Sequence, residues 1–230
     1  MIPFALWAPE KPRAIVLMGH GGGRHKHDPE LVAHARRLVD DGGFAVVAPD
    51  VPGHGERPEV AEYSRLAEQM QARVEAGAER APLVAEFQAH VARQTVPEWR
   101  DLLDVVQERL GELPAGYWGV SLGCGLGVPF VAAEPRVRAA VLGHGGLFAG
   151  PEVAARITVP VEFLVQWDDE RVPREAMLAL FDTIGSPVKT LHANPGRHGE
   201  VPQHEQESGL RFFQRYLGES TTGASGKKTA

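Results

Sequence analysis

The sequence predicts an α/β protein with a mostly parallel sheet flanked by helices on both faces and a helical insertion over one end. Three observations carry this. Short, continuously apolar runs alternate with stretches of helical periodicity. Five of the runs lead into glycine-rich or polar sequences, as strands of an open parallel sheet do where ligands gather. And 230 residues, 43% of them hydrophobic, are enough to bury one sizeable core.

Taken in order, Ala14 to Met18 is apolar throughout, as expected of a strand buried on both faces, and it runs into Gly19-His20-Gly21-Gly22-Gly23. Leu31, Val32, Ala35, Leu38 and Val39 follow helical spacing from Pro29 until Gly42-Gly43 ends the segment. Phe44 to Ala48 is the next strand, closed by Pro49, so strand, helix and strand form one parallel crossover unit. The alternation resumes with a strand near Ala115 to Trp118, a helix from Leu122 to Ala133 and a strand from Ala139 to Leu142. A short helix from Pro151 to Arg156, a strand from Val161 to Gln166 and a helix from Arg174 to Ile184 follow. Val188 to His192 and an amphipathic helix from Glu205 to Leu217 complete the series.

Residues 59–95 break the pattern. Val60, Tyr63, Leu66 and Met70, then Val84, Phe87 and Val91, recur at helical spacing, with Gly77 and Pro82 between the two sets. This reads as two helices, forming either an insertion over one end of the sheet or an ordinary pair packed on its flank. A further helix is expected to start at Pro97 and to end at Gly111. Residues 1–218 are thus expected to form a single domain, and 219–230, which lack an apolar anchor, a disordered tail.

Composition narrows the function. A net charge of -6 with interleaved signs and no long basic block gives nucleic-acid binding no electrostatic support. One cysteine, Cys124, rules out a disulfide framework and a multi-cysteine zinc site. No signal-peptide pattern and no run of membrane-spanning length is visible, so a cytoplasmic location without membrane attachment is expected. His25, His27 and Asp28 resemble part of a metal-ligand set but lack the remaining ligands, so no metal and no cofactor is expected.

The chemistry is expected at the strand ends. Gly119-Val120-Ser121-Leu122-Gly123 lies between a strand and a helix, where a sharp turn lifts a serine hydroxyl out of the backbone. Serine needs a base, and His198 follows the last strand on a Gly- and Pro-rich loop able to reach across strand ends. The histidine in turn needs an acid, and Asp168 and Asp169 both follow the strand ending at Gln166. An aspartate there also suits the cap of the following helix, so one of the pair is free to turn inward.

The set Gly-Val-Ser-Leu-Gly, Asp-x-x-Val-Pro and Gly-x-His-Gly resembles the α/β-hydrolase superfamily, whose triad runs Ser, Asp, His. The esterase, dienelactone-hydrolase-like or prolyl-oligopeptidase-like branches are the ones it resembles. Ala14 to Gly23 resembles that family's oxyanion loop, and Asp50-Val51-Pro52-Gly53-His54-Gly55 its largely structural turn after the next strand. The resemblance implies Ser121 as nucleophile, His198 as base and Asp169 as acid, with Asp168 the runner-up. It implies the backbone N–H groups of Leu122 and Gly22 as oxyanion donors, His20 replacing Gly22 if Met18-Gly19 is the matching pair. His20, Gly21, His144 and Trp167 are expected to touch substrate, and Cys124 to be a packed small hydrophobe. The implied activity is a serine-dependent carboxylesterase acting on small-molecule esters. A thioesterase, peptidase or acyltransferase on the same triad, or a non-catalytic hydrolase-like binder, are the alternatives.

Overall fold

The computed structural model describes residues 2–218; the expected tail, 219–230, lies outside them. Among the described residues one sheet runs in the order β1-β3-β2-β4-β5-β6-β7. Its strands are β1 (Phe4–Trp7), β2 (Ile15–Gly19), β3 (Ala45–Pro49), β4 (Ala115–Val120), β5 (Val137–Gly143), β6 (Val161–Gln166) and β7 (Lys189–Asn194). All neighbours pair in parallel except β1, which lies antiparallel to β3 with Phe4 opposite Pro49 and Trp7 opposite Val46.

The apolar strand runs are explained by burial on both faces. In β2, Ile15 and Leu17 enter one core, while Val16 and Met18 enter the other. β6 divides the same way, with Phe163 on the first side and Leu164 on the second. The first core is covered by α3 (Arg80–Leu110), α4 (Leu122–Ala133), α5 (Pro151–Ala154) and α6 (Arg174–Thr183). The second lies under α1 (Pro29–Asp40) and α7 (His204–Leu217), where Leu38, Phe212 and Phe213 are buried. Trp99, Tyr117 and Phe130 fill the middle of the first core, with ring centroids 5.5 to 5.7 Å apart.

One element was missed and one expectation is corrected. β1 was not foreseen, because its four residues become a strand only by pairing with the edge of β3. The helix expected to start at Pro97 is instead continuous with the preceding one: α3 runs 31 residues through that proline. Proline forfeits one intrahelical hydrogen bond, but Val91, Thr95, Trp99, Leu102 and Leu103 are buried on both sides of it, and that burial keeps the helix going. Pro82 instead occupies the first turn of α3, where no intrahelical partner exists to be lost. α2 (Ala61–Glu75) precedes it, separated by Gly77, whose φ is +91°.

Strand order reverses between β2 and β4, since the chain passes from β2 outward to β3 and returns on the other side. A crevice opens at the carboxyl ends of strands at such a switch point. The loop after β3 is fastened there by a buried ion pair: Lys26 Nζ donates to Asp50 Oδ2 at 2.6 Å, and the backbone N–H groups of Lys26 and Glu56 donate to the same carboxylate. Burial alone would raise the Asp50 pKa, but these donors outweigh it and hold the carboxyl below its ordinary value. Glu134 behaves alike: burial is outweighed by the guanidinium groups of Arg136 and Arg100. Acids with depressed folded pKa values add stability that is present above the unfolded values, about pH 4 to 4.5, and lost as pH falls through the folded ones. Unfolding free energy from urea titration is therefore expected to fall steeply below about pH 4. Asp50→Asn, which leaves Lys26, only 3% exposed, with the exposed Glu56 as its remaining acidic partner, is expected to cost about 3 kcal/mol at pH 7 and to make that acid limb shallower.

Candidate active site

Ser121 sits between β4 and α4 with φ 58° and ψ -120°. A non-glycine residue there carries strain on the order of 1–3 kcal/mol. The turn is possible because Gly119 and Gly123 lack side chains: a Cβ on Gly123 would strike the Gly19 carbonyl, and one on Gly119 the Gly123 backbone. Tyr117 Oη donates to the Gly123 carbonyl at 2.5 Å and ties the start of α4 to β4.

Ser121 Oγ lies 2.9 Å from His198 Nε2, and His198 Nδ1 lies 2.7 Å from Asp169 Oδ2. His198 is buried, and the Asp169 side chain is fully shielded from solvent. The other carboxylate oxygen, Asp169 Oδ1, accepts the backbone N–H groups of Arg171 at 2.7 Å and Val172 at 2.9 Å. The turn of Asp-x-x-Val thus clamps the carboxylate in place. Asp168 is exposed, and its carboxylate reaches only the Gly196 N–H, at 3.5 Å. Asp169 rather than Asp168 therefore faces the histidine.

The His198 loop is held by a residue that sequence reasoning missed. Gln166, fully buried at the end of β6, directs Nε2 at the carbonyls of Glu200 (2.8 Å), Pro195 (3.3 Å) and Arg197 (3.4 Å). An amide directly after the apolar Phe163-Leu164-Val165 was the available signal. The His198 backbone N–H also donates to Glu170 at 3.0 Å, and this contact holds that carboxyl down at about 2.

Leu122 opens α4, so its N–H lies among the unpaired donors at the positive end of a helix. Gly22 stands beside it: a Cβ built there would be 3.9 Å from Leu122 Cβ. Both line a cavity of about 780 Å³, together with Ser121, His144, Asp169 and His198, a size suited to small-molecule ligands. Met70, Val84 and Phe87 supply its apolar wall from α2 and α3, and Phe148 also lines it. Tyr63, also on α2, is not among the lining residues; it is buried and donates to Gln94. His54 and Gln88 also line the cavity, and neither was expected to.

Three expected substrate contacts are not brought to the cavity. His20 is buried with both ring nitrogens engaged: Nε2 accepts the Val51 N–H at 3.0 Å, and Nδ1 donates to the Gly21 carbonyl at 2.8 Å. Burial takes its pKa down to about 4, so it is a neutral strut between the loops after β2 and β3. Gly21 serves that contact and accepts the Arg24 N–H, closing the turn. Trp167 is 45% exposed, with the Arg174 guanidinium stacked 4.3 Å from its ring centre, outside the cavity lining. His144, by contrast, lines the cavity with its ring centre 5.5 Å from that of His198. Cys124 is fully buried inside α4, and burial pushes its thiol up to about 12, leaving it inert.

Two groups of described side chains bring ligand atoms within 4.8 Å of one another, as a metal would require: His144, Asp169 and His198, and Glu162, His192 and Glu205. The second is knit by its own hydrogen bonds, from His192 and Asn194 to Glu205 and from Ser208 to Glu162. His25, His27 and Asp28 belong to neither; Asp28 caps α1 and pairs with Arg24. No described helix is long and apolar enough to cross a membrane.

A serine–histidine–aspartate hydrogen-bond chain thus lies at the switch point of a parallel sheet, and comparison with solved structures identifies the fold. A cold-adapted esterase from an Arctic intertidal metagenomic library, solved as a PEG-bound complex, is 32% identical, with a TM-score of 0.78 over 94% of this chain and 88% of that one. The chain belongs to the α/β-hydrolase superfamily. TT1662 from Thermus thermophilus (21% identity, 95% of each chain, TM-score 0.75) shares the fold. So does an acetyl xylan esterase from Paenibacillus sp. R4 (19%, 94% of this chain and 80% of that, TM-score 0.70). No family model matches the sequence, and no curated protein sequence does.

Proposed function

We propose that this protein hydrolyses carboxylic esters of small to medium size through an acyl-enzyme on Ser121. The observation that carries the reading is the hydrogen-bond chain Asp169–His198–Ser121 opening into the cavity. Similarity to an esterase over most of both chains supports ester hydrolysis in general.

In the proposed mechanism Ser121 Oγ attacks the ester carbonyl as its proton passes to His198 Nε2. The N–H groups of Leu122 and Gly22 hold the developing oxyanion, and low polarity around the buried α4 strengthens them. The tetrahedral species collapses, and the departing alkoxide takes the proton from His198. Water then attacks the acyl-enzyme, gives its proton to His198 and releases the acid, while Ser121 Oγ regains that proton. Asp169 keeps the imidazole oriented and stabilises its charged form throughout.

The test is turnover of short p-nitrophenyl esters together with covalent labelling by a fluorophosphonate. Wild-type protein that resists the probe, or labelling that survives Ser121→Ala, sinks the mechanism. The apolar wall from α2 and α3 is proposed to take the acyl chain, whatever its mobility. Phe87→Ala is accordingly expected to lower kcat/KM for octanoate about tenfold or more while sparing acetate, since each buried methylene contributes about 0.8 kcal/mol. Equal losses on both esters would remove the acyl chain from this wall.

A further inference from the structure

Gln166 closes β6 three residues before Asp169 and is fully buried against the loop that carries His198. Its Nε2 gathers carbonyls from both sides of that histidine: Pro195 at 3.3 Å, Arg197 at 3.4 Å and Glu200 at 2.8 Å. All three partners can only accept, so the atom facing them is the amide nitrogen. The chain curls around it through Gly196, whose φ is +108° and where a Cβ would lie 3.5 Å from Gln166 Nε2. The His198 ring projects from this curl to Ser121, with Nε2 2.9 Å from Oγ.

The same short segment places the acid. The N–H groups of Trp167 and Asp168 donate to the Asn194 and Gly196 carbonyls at 2.7 and 3.1 Å, and Asp169 then meets His198 Nδ1. The distance from acid to base is therefore set by how residues 195–200 seat on residues 166–169. Glu170, its side chain 38% exposed, accepts the His198 N–H where water competes for both groups. Gln166 acts from the interior, where water does not replace a lost donor. Its own Oε1 is buried without a hydrogen-bond partner, so the polarity of this side chain serves the loop through the nitrogen alone.

We infer that Gln166 is a positioning residue for the reaction: by donating to the His198 loop it sets the reach of the base to Ser121. Gln166 does not line the cavity, so its effect falls on kcat and spares KM. This inference rests on the ester-hydrolase reading and names what aligns its base.

The test is steady-state hydrolysis of p-nitrophenyl acetate, corrected for folded fraction by near-ultraviolet circular dichroism. Gln166→Met keeps the length of the side chain without its donor. It is expected to lower kcat about 10²-fold, the scale of a misplacement of about 1 Å, with KM within about twofold. In a His198→Ala background the same change is expected to cost less than about twofold, because no base is left to align. A general loss of structure would appear in both backgrounds. Gln166→Glu separates the donor from the shape. Burial beside carbonyl oxygens favours the protonated acid, which donates where the amide did. Its kcat near pH 6 is expected to exceed that of Gln166→Met by about tenfold, an advantage that shrinks as the acid ionises at higher pH. The inference is overturned if Gln166→Met stays within about threefold of wild type, if its loss is equal in the His198→Ala background, or if Gln166→Glu is no better than Gln166→Met at any pH. A wild type inert toward short p-nitrophenyl esters would overturn the ester-hydrolase reading itself, and this inference with it.

Discussion

Ser121→Ala is expected to lower kcat on short p-nitrophenyl esters by about 10⁴- to 10⁶-fold and to abolish fluorophosphonate labelling. The substitution keeps Cβ, so the elbow geometry at φ 58° and the packing of α4 are retained while Oγ alone is removed. What remains is catalysis by the oxyanion donors and by binding, which stays above the uncatalysed rate. His198→Ala should fall to a similar level, and the double variant no further, because nucleophile and base act as one unit. Activity within tenfold of wild type would place the nucleophile elsewhere.

Asp169→Asn should cost about 10⁴-fold in kcat, while Asp168→Asn stays within about threefold. The argument is one of hydrogen-bond polarity. The N–H groups of Arg171 and Val172 both donate to Oδ1, so an asparagine is forced to keep its carbonyl oxygen there. Its NH₂ then faces His198 Nδ1, where the carboxylate Oδ2 now accepts at 2.7 Å. Nδ1 becomes the acceptor, the proton moves to Nε2, and the imidazole can no longer take the serine proton. Steric change is minimal, so the loss reports the tautomer. Asp168 has no such clamp: it is exposed, and its one contact is a 3.5 Å approach to the Gly196 N–H. Equal effects of the two substitutions would refute the assignment.

Much of this was legible in the chain because parallel strands buried on both faces leave uninterrupted apolar runs, as in Ala14 to Met18 and Phe44 to Ala48. The choice of Asp169 over Asp168 came from the resemblance to Asp-x-x-Val, since the residues alone left both open; the structure supplies a local reason, a carboxylate clamped by the backbone two and three residues ahead. Edge strand β1 was not legible, because its identity comes from β3, forty residues on. The continuity of α3 through Pro97 was equally hidden: a local rule predicts a break, and burial of Trp99 and Leu103 overrides it. His20 misled because a histidine beside a glycine loop at a strand end looks available to substrate, whereas both its nitrogens are taken by backbone groups.

By itself, then, the sequence determined the layer architecture, the sharp turn at Ser121 and the order in which Ser121, Asp169 and His198 follow one another. Each of these is written in periodicities and in contacts a few residues long. Tertiary structure alone decided the cavity. Its wall comes from α2 and α3 with His144 among the lining residues, and the support of the His198 loop from Gln166. These groups are tens of residues apart in the chain, and what each side chain faces is set by packing between elements, which no local pattern encodes.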